Sequence, residues 1–276
     1  MECEDGSDEE DCGMVVMRAG YNKLLTPVSA DGARSLLVNV SLDIIDILEI
    51  NELDEIFTVK ISLRRDWFDS GLTFKHLKSG GSKSNILSKV ESDAIWFPSV
   101  DIDNIEERDR MKRTAIADVH RVIPNENFAF TFKDNVHLFK GSENQLTLTK
   151  QWTVGFICHY SMHWYPIDTQ VCSMEFLRAT EFTELQPVLL QHNRDISLDR
   201  YFIRSIRICK STAGGGKDAI VAEVTLGRPI VSNVLTVFIP TTTLVSISFI
   251  ARAFAEGYID MVIQVNLTIQ LVLATL

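Results

Sequence analysis

The chain has 276 residues, a formal net charge of −10, 46% hydrophobic residues and 23% charged ones. That length holds one large domain or two modest ones. The acidity excludes a nucleic-acid partner, which needs a basic excess; it reads either as a solvated surface or as an acidic vestibule that concentrates cations.

Residues 1–13 carry two cysteines in an acidic run, Cys3-Glu-Asp5-Gly6-Ser7-Asp8-Glu9-Glu-Asp-Cys12. Residues 14–34 hold Pro27 and Asp31-Gly32 and read as a lead-in with turns. From Leu36 the pattern alternates. Leu36, Val38, Val40, Leu42 and Ile44 face one way, and Leu37, Asn39, Ser41 and Asp43 the other, as in a half-buried strand. Asn39-Val40-Ser41 is a glycosylation acceptor in form, on the polar face. Ile56 to Leu63 is a second predicted strand. Phe128–Phe132, Val136–Phe139, Leu146–Thr149, Trp152–Tyr160, Val171–Phe176, Tyr201–Cys209 and Ile220–Leu226 follow, separated by turn residues. So many short strands argue for a mainly β, immunoglobulin-like sandwich over residues 35–228.

At Arg228 the chemistry changes. Pro229 to Ala251 is 23 residues without a formal charge, enough for a membrane helix, where about 20 are needed. The competing reading is a buried core helix, but the stretch is long and apolar all round. Pro240 in its middle is tolerated better in a membrane helix than in a soluble one. The reading is a first transmembrane helix over 229–252, a cytoplasmic loop over 253–260 and a truncated second helix over 261–276.

Thirteen residues lie between Cys158 and Cys172, and they include Tyr165-Pro166-Ile167-Asp168 at seven to ten places after Cys158. This resembles the signature loop of the Cys-loop receptors, the pentameric ligand-gated ion channels. Trp67-Phe68-Asp69, Trp96-Phe97-Pro98, and Arg228 with Pro240 twelve residues on are similar to landmarks of the same family. Buried structural tryptophan is the plain alternative for the first two. The resemblance runs from about residue 36 to the end. It implies a Cys158–Cys172 disulfide, hence an oxidising extracellular setting. It implies a plasma-membrane protein with an extracellular N-terminal domain, a small-molecule ligand, and identical or homologous subunits as partners. The function implied is a channel subunit; the alternatives are a soluble or tethered ligand-binding protein of the same fold, or an accessory subunit without an agonist site. The N-terminal run resembles the end of an LDL-receptor class A module, in which Asp8 and Glu9 would be calcium ligands. The rest of that module is lacking, so no functional metal site is expected. No secretory signal opens the chain and the later membrane helices are missing, so a fragment is expected. No enzyme activity or cofactor is expected: His159 and His163 would share a strand face with no third ligand.

Family spacing also places candidate sites. Counting from the landmarks, the positions where amine-binding receptors hold aromatic rings are Ser62, Asp103, Ala179 and Lys217, none of them aromatic. Simple amines are therefore poor ligands on this reading. Arg64 and Arg65 are candidates to hold a carboxylate, against the plain reading of solvent-facing arginines beside Asp66 and Asp69. The expected coupling residues are Glu52 and Leu53 of a strand turn, Tyr165, Pro166 and Asp168 of the loop, and Arg228. A Glu52–Arg228 pair is the expected link, against an ordinary rim charge. Gln264, Thr268, Leu271 and Thr275 share one helix face and would line the pore. The stretch Ala253 to Val262 at its mouth holds two acids, Glu256 and Asp260, and no base, which points to cation selectivity.

Overall fold

The computed structural model describes residues 13–29, 32–78, 84–106, 117–125, 131–133, 136–193, 196, 198, 200–213, 217–253 and 259–275. The expected residues Asp8 and Glu9 lie outside these. In chain order the strands are β1 Val15–Met17, β2 Leu36–Asn51, β3 Ile56–Trp67, β4 Leu72–Lys75, β5 Val100–Ile102, β6 Ala117–Ile123, β7 Thr131–Lys133, β8 Val136–Lys140, β9 Gln145–Ile157, β10 Thr169–Arg178, β11 Thr183–His192, β12 Phe202–Ala213 and β13 Lys217–Gly227. A short helix, α1 Lys89–Ala94, precedes β5. The described strands form three sheets, ordered β1-β4-β8-β7, β12-β13-β10-β5 and β11-β2-β3-β9-β6.

The chain divides into two units. The first comprises Met1–Tyr160, Val171–Ser197 and Ser205–Thr225; the second comprises Ser161–Gln170, Leu198–Arg204 and Leu226–Leu276. The core of the first unit follows from period-two alternation. Val38, Val40, Leu42 and Ile44 of β2, and Phe57, Val59, Ile61 and Leu63 of β3, are all buried. Each such side chain contributes roughly 1.5–3 kcal/mol of burial. Past Ile44 the alternation breaks, because register shifts between Ile44 and Asp46 and between Ile47 and Glu49 bend β2 without ending it. The two expected strands Leu146–Thr149 and Trp152–Tyr160 fall on the single strand β9, which ends at Ile157.

Sequence reading missed β11, in which Pro187 demotes the pattern. It is an edge strand, parallel to β2, with a register shift between Pro187 and Leu189. An edge is where a residue without an N–H donor is tolerated. The lead-in is also tied down more firmly than expected. β1 pairs with β4, and Met14 and Val15 donate backbone N–H groups to Glu91 Oε1 at 2.5 and 3.0 Å. Glu91 is also the partner of Ser88 in the capping box that starts α1. Tyr21 donates to Asp69 Oδ2 at 2.8 Å and accepts from Trp96 N at 2.9 Å. Burial pushes the Asp69 carboxyl above its ordinary range, with bonds from Tyr21 and the Gly71 N–H opposing it. Trp67 and Trp96 are indeed buried and meet edge to face at 6.1 Å. Gly141 closes this corner: a Cβ there would stand 2.2 Å from the Asp69 carbonyl oxygen.

In the second unit, residues 230–253 are helical but not one regular helix. Helix α2, Ile230–Asn233, runs into a π-helical turn, Val234–Phe238, and then α3, Ile239–Ala253. Pro240 has no N–H to give to the carbonyl four residues back, and the widened turn before it accommodates that loss. The sequence pattern had pointed to an unbroken helix over 229–252. Helix α4, Ile259–Thr275, has 17 residues. Among the described residues no helix is long and apolar enough to cross a membrane.

Candidate functional site

Lys217 is in the sheet β12-β13-β10-β5, where Asp103 follows β5 and Ala179 follows β10; Ser62 and Arg64 are in the sheet β11-β2-β3-β9-β6. Lys217 opens β13; its side chain lies outside the described residues. Ala179 is exposed just after β10, beyond the Arg178–Val100 register pair. Asp103 lies at the other end of β5, its N–H on Glu175 O at 3.0 Å. Four residues of strand, roughly 13 Å, separate the two positions. The structure therefore does not bring Asp103 and Ala179 together.

On β3, Ser62, Arg64 and Asp66 alternate with buried Leu63 and Arg65. The two arginines thus part to opposite faces, which corrects the reading of both as solvent-facing. Arg65 is 3% exposed, donates to Pro98 O at 2.5 Å, and has its pKa lowered to about 10 by burial, partly offset by Asp118. Arg64 is exposed and pairs with Asp66 at 2.9 Å. It lines a cavity of about 270 Å³ with Val119, Arg121, Ile123, Thr147, Thr149 and Gln151. Sequence reasoning missed Arg121, Thr147, Thr149 and Gln151. The register explains their meeting: Thr149 of β9 lies between Arg64 and Val119, and Thr147 between Asp66 and Arg121. Among the described residues, Arg121 Nε and Thr147 Oγ1 are buried without a hydrogen-bond partner. Such donors are costly to bury unmatched, so this face is prepared for an acceptor. Among the described residues no aromatic ring lines the cavity.

The expected disulfide is present: Cys158 and Cys172 are bonded, with Cα atoms 5.1 Å apart, and Cys209 is free and exposed. The turn Glu52–Glu55 after β2 is built by Asn51, whose Oδ1 accepts from Leu53 N at 3.1 Å and Asp54 N at 3.0 Å. Leu53 projects from it, 95% exposed. The turn is fastened to the first arm of the Cys-loop. Cys158 N donates to Glu55 O at 2.8 Å, His159 Nδ1 lies 2.8 Å from Glu55 Oε2, and the Tyr160 hydroxyl reaches Ile56 O at 3.3 Å. Burial, helped by the charge of Glu52, raises the Tyr160 pKa.

In the second unit the loop tip is organised around Arg228. Asp168, which sequence reasoning did not name as a partner of Arg228, lies against it. Arg228 Nε donates to Asp168 Oδ1 at 2.9 Å and Oδ2 at 3.0 Å, and the two side chains are 5% and 2% exposed. Gln170 completes the shell: its Nε2 donates to Asp168 Oδ2 at 2.5 Å and to Ser161 O at 2.8 Å, while its Oε1 accepts from Ser161 N at 2.9 Å. The guanidinium lies over the Tyr201 ring at 4.5 Å and the Tyr165 ring at 5.0 Å. Tyr165 in turn stacks on Phe238 of the π turn at 6.5 Å. Pro166 is buried, after a cis peptide, and Ile167 is exposed. Gly227 is needed beside this node, since a Cβ there would stand 2.8 Å from Phe202 Cζ.

On α4, Gln264 and Thr268 are exposed on one face, and Thr268 Oγ1 donates to Gln264 O at 2.8 Å. The side chains of Asp260, Leu271 and Thr275 lie outside the described residues. Asn266 turns away from that face and bonds Ser248 of α3. Asn39 is half-buried on β2, between Gln186 of β11 and Asp66 of β3.

These features define a β domain with a disulfide-closed loop, followed by helices, and the comparisons place it in a family. The model of the neurotransmitter-gated ion-channel ligand binding domain matches residues 14–211. The chain belongs to that family, the Cys-loop receptors, whose members are channels rather than enzymes. It is 24% identical to gamma-aminobutyric acid receptor subunit rho-2 of Bos taurus over 90% of this chain and 51% of the relative. It is 26% identical to acetylcholine receptor subunit alpha-type unc-63 of Caenorhabditis elegans, over 57% and 27%, and 26% identical to the serotonin-gated chloride channel mod-1 of the same organism, over 63% and 31%. The chain spans about half the length of the rho-2 relatives it matches.

Proposed function

We propose that the chain is the ligand-binding and gate-coupling part of a subunit of a pentameric ligand-gated ion channel in the plasma membrane, with its N-terminal domain extracellular. One observation carries the reading: the buried Asp168–Arg228 pair at the base of the helical segment. A binding protein with no pore gains nothing from locking a guanidinium there. Glu52 and Leu53 belong to a turn fastened to one arm of the Cys-loop, while Tyr165, Pro166 and Asp168 hold the loop tip on Arg228. On this reading the Cys-loop is the covalent segment that carries ligand binding to the helix. Gln264, Thr268, Leu271 and Thr275 are the proposed pore-lining set.

The ligand reading follows from the Arg64 cavity. Two guanidinium groups, one unmatched threonine hydroxyl and, among the described residues, no aromatic ring suit a carboxylate and not a quaternary ammonium. Ser62 and Arg64 supply one face; Asp103, Ala179 and Lys217, on or beside a different sheet, belong to the opposite face of an identical or homologous neighbour. Selectivity is a separate question. The acids Glu256 and Asp260 favour cations, whereas mod-1, a relative, is named a chloride channel. The cation reading therefore gains no support from the comparisons.

The test is expression of the full-length gene in oocytes with a panel of amino-acid and amine transmitters. A carboxylate-bearing agonist should open a current, and Arg64→Ala should raise its half-maximal concentration at least about tenfold. Activation by a quaternary amine with no dependence on Arg64 would overturn the ligand reading. Current from no agonist, despite surface pentamers, would favour the accessory subunit. The reversal potential in a chloride gradient decides selectivity.

A further inference from the structure

The face of β6 opposite Arg121 carries a second cavity, of about 290 Å³, which the ligand reading does not use. The segment before α1 runs beside the edge strand: Leu87 N donates to His120 O and Val122 N to Asn85 O, both at 3.0 Å. Helix α1 then turns away under its Ser88–Glu91 cap and leaves a gap between its first turns and β6. Ile86, Leu87, Lys89, Ser92, Asp93, Asp118 and His120 are among the residues that line it.

The lining sorts into an outer and an inner part. Lys89, Asp93 and Asp118 are exposed around the rim, where Lys150 also holds Asp118 at 2.8 Å. The rim therefore offers acids and bases together. Leu87 and His120 form the interior, 6% and 7% exposed. His120 Nδ1 is 3.9 Å from Asp118 Oδ1, and its ring faces the edge of Phe97 at 6.0 Å. Its Nε2 is buried with no partner among the described residues. Burial holds this imidazole neutral, with its pKa lowered to about 4; Asp118 and Asp93 oppose the shift, and Lys150 and Arg65 add to it.

His120 lines a partly apolar cavity and carries an unmatched, uncharged ring nitrogen, which asks for one hydrogen bond and no charge. An ion would lose its hydration without gaining a counter-charge there. A hydroxyl fits best, because it donates to Nε2 in one imidazole tautomer and accepts from it in the other. The volume lies near the lower end for small-molecule sites, roughly 300 Å³. We propose that the cavity between α1 and β6 is an accessory site for a small neutral alcohol or phenol, its hydroxyl on His120 Nε2 and its apolar body against Leu87 and Ile86.

The test compares three probes of one shape: benzyl alcohol, benzylammonium and benzoate. Each is titrated into the whole chain in detergent, with ¹⁵N-labelled histidine read by NMR at neutral pH. Benzyl alcohol should shift the His120 Nε2 resonance saturably, and the two ions should bind at least about tenfold more weakly. His120→Phe keeps the ring shape and should weaken benzyl alcohol about tenfold, read by calorimetry. If that variant does not fold, Ile86→Trp, at the half-exposed rim, fills the gap and should abolish the His120 shift. Arg64→Gln should leave binding unchanged, which keeps this site separate from the proposed agonist site. Equal binding of the ions, no saturable shift, or full binding in Ile86→Trp overturns the proposal.

Discussion

The Arg64 cavity of the first unit and the Arg228 node of the second both centre on an arginine, and they are built in opposite ways. Arg228 is buried, doubly bonded to Asp168, covered by two tyrosine rings and backed by Gln170. Arg64 is exposed, has a single contact with Asp66, and neighbours donors that have no partner among the described residues. A satisfied, desolvated charge is a fixed joint, because any departure exposes an unpaired ion to a low-dielectric interior. An open charge beside unmatched donors is a receptor for something else. Sites that transmit force and sites that recognise a ligand differ in how completely their polar groups are satisfied at rest.

Breaking the node should have the largest effect. Asp168→Ala takes the carboxylate away from a buried guanidinium and should cost about 3–5 kcal/mol, read as lost surface expression or a lowered unfolding midpoint. The charge-reversed pair Asp168→Arg with Arg228→Asp should recover part of it in a double-mutant cycle. Strict additivity of the two single changes would remove the pair from the coupling route and return attention to Glu52.

The disulfide comes next. Replacing Cys158 and Cys172 by serine opens a loop of 13 intervening residues and should cost about 3 kcal/mol, measured by denaturant unfolding of the reduced and oxidised chains.

His120 sharpens the comparison from within the first unit, since it is buried with its Nε2 unmatched among the described residues. Its folded pKa, about 4, lies below the ordinary 6.5, so its contribution is fully present above pH 6.5 and is lost as pH falls through 4. The wild type should lose on the order of 3 kcal/mol across that window relative to His120→Phe. Asp69, with a raised pKa, runs the other way: it favours the fold below its ordinary value and loses that contribution as pH rises through the folded one. Urea titrations of wild type, His120→Phe and Asp69→Asn at several pH values separate the two.

Arg64→Ala should have the smallest effect on stability, about 0–1 kcal/mol, because its ion pair is solvent-exposed. Its effect should fall on ligand response instead. A variant as destabilised as Asp168→Ala would erase the distinction between joint and receptor.

Much of this was legible in the residues. The alternation from Leu36 located the sheet, because only one register buries Val38, Val40, Leu42 and Ile44 together. The cysteine spacing and the Tyr165-Pro166-Ile167-Asp168 interior located the loop. Local order also identified Arg228 as the residue that opens the helical segment.

Other features are properties of pairing, which sequence separation hides. Asp168 and Arg228 are 60 residues apart, and nothing in their spacing along the chain announces their contact. Arg64, Arg121 and Thr147 come from three strands and share a face only because the β3–β9 and β9–β6 registers align them. Arg64 and Arg65 look equivalent side by side, yet the pleat sends one to solvent and the other into the core. The chain's short-range periodicity determined which faces are apolar. Which polar groups became satisfied, and which were left open, was decided when the strands and the loop met in three dimensions.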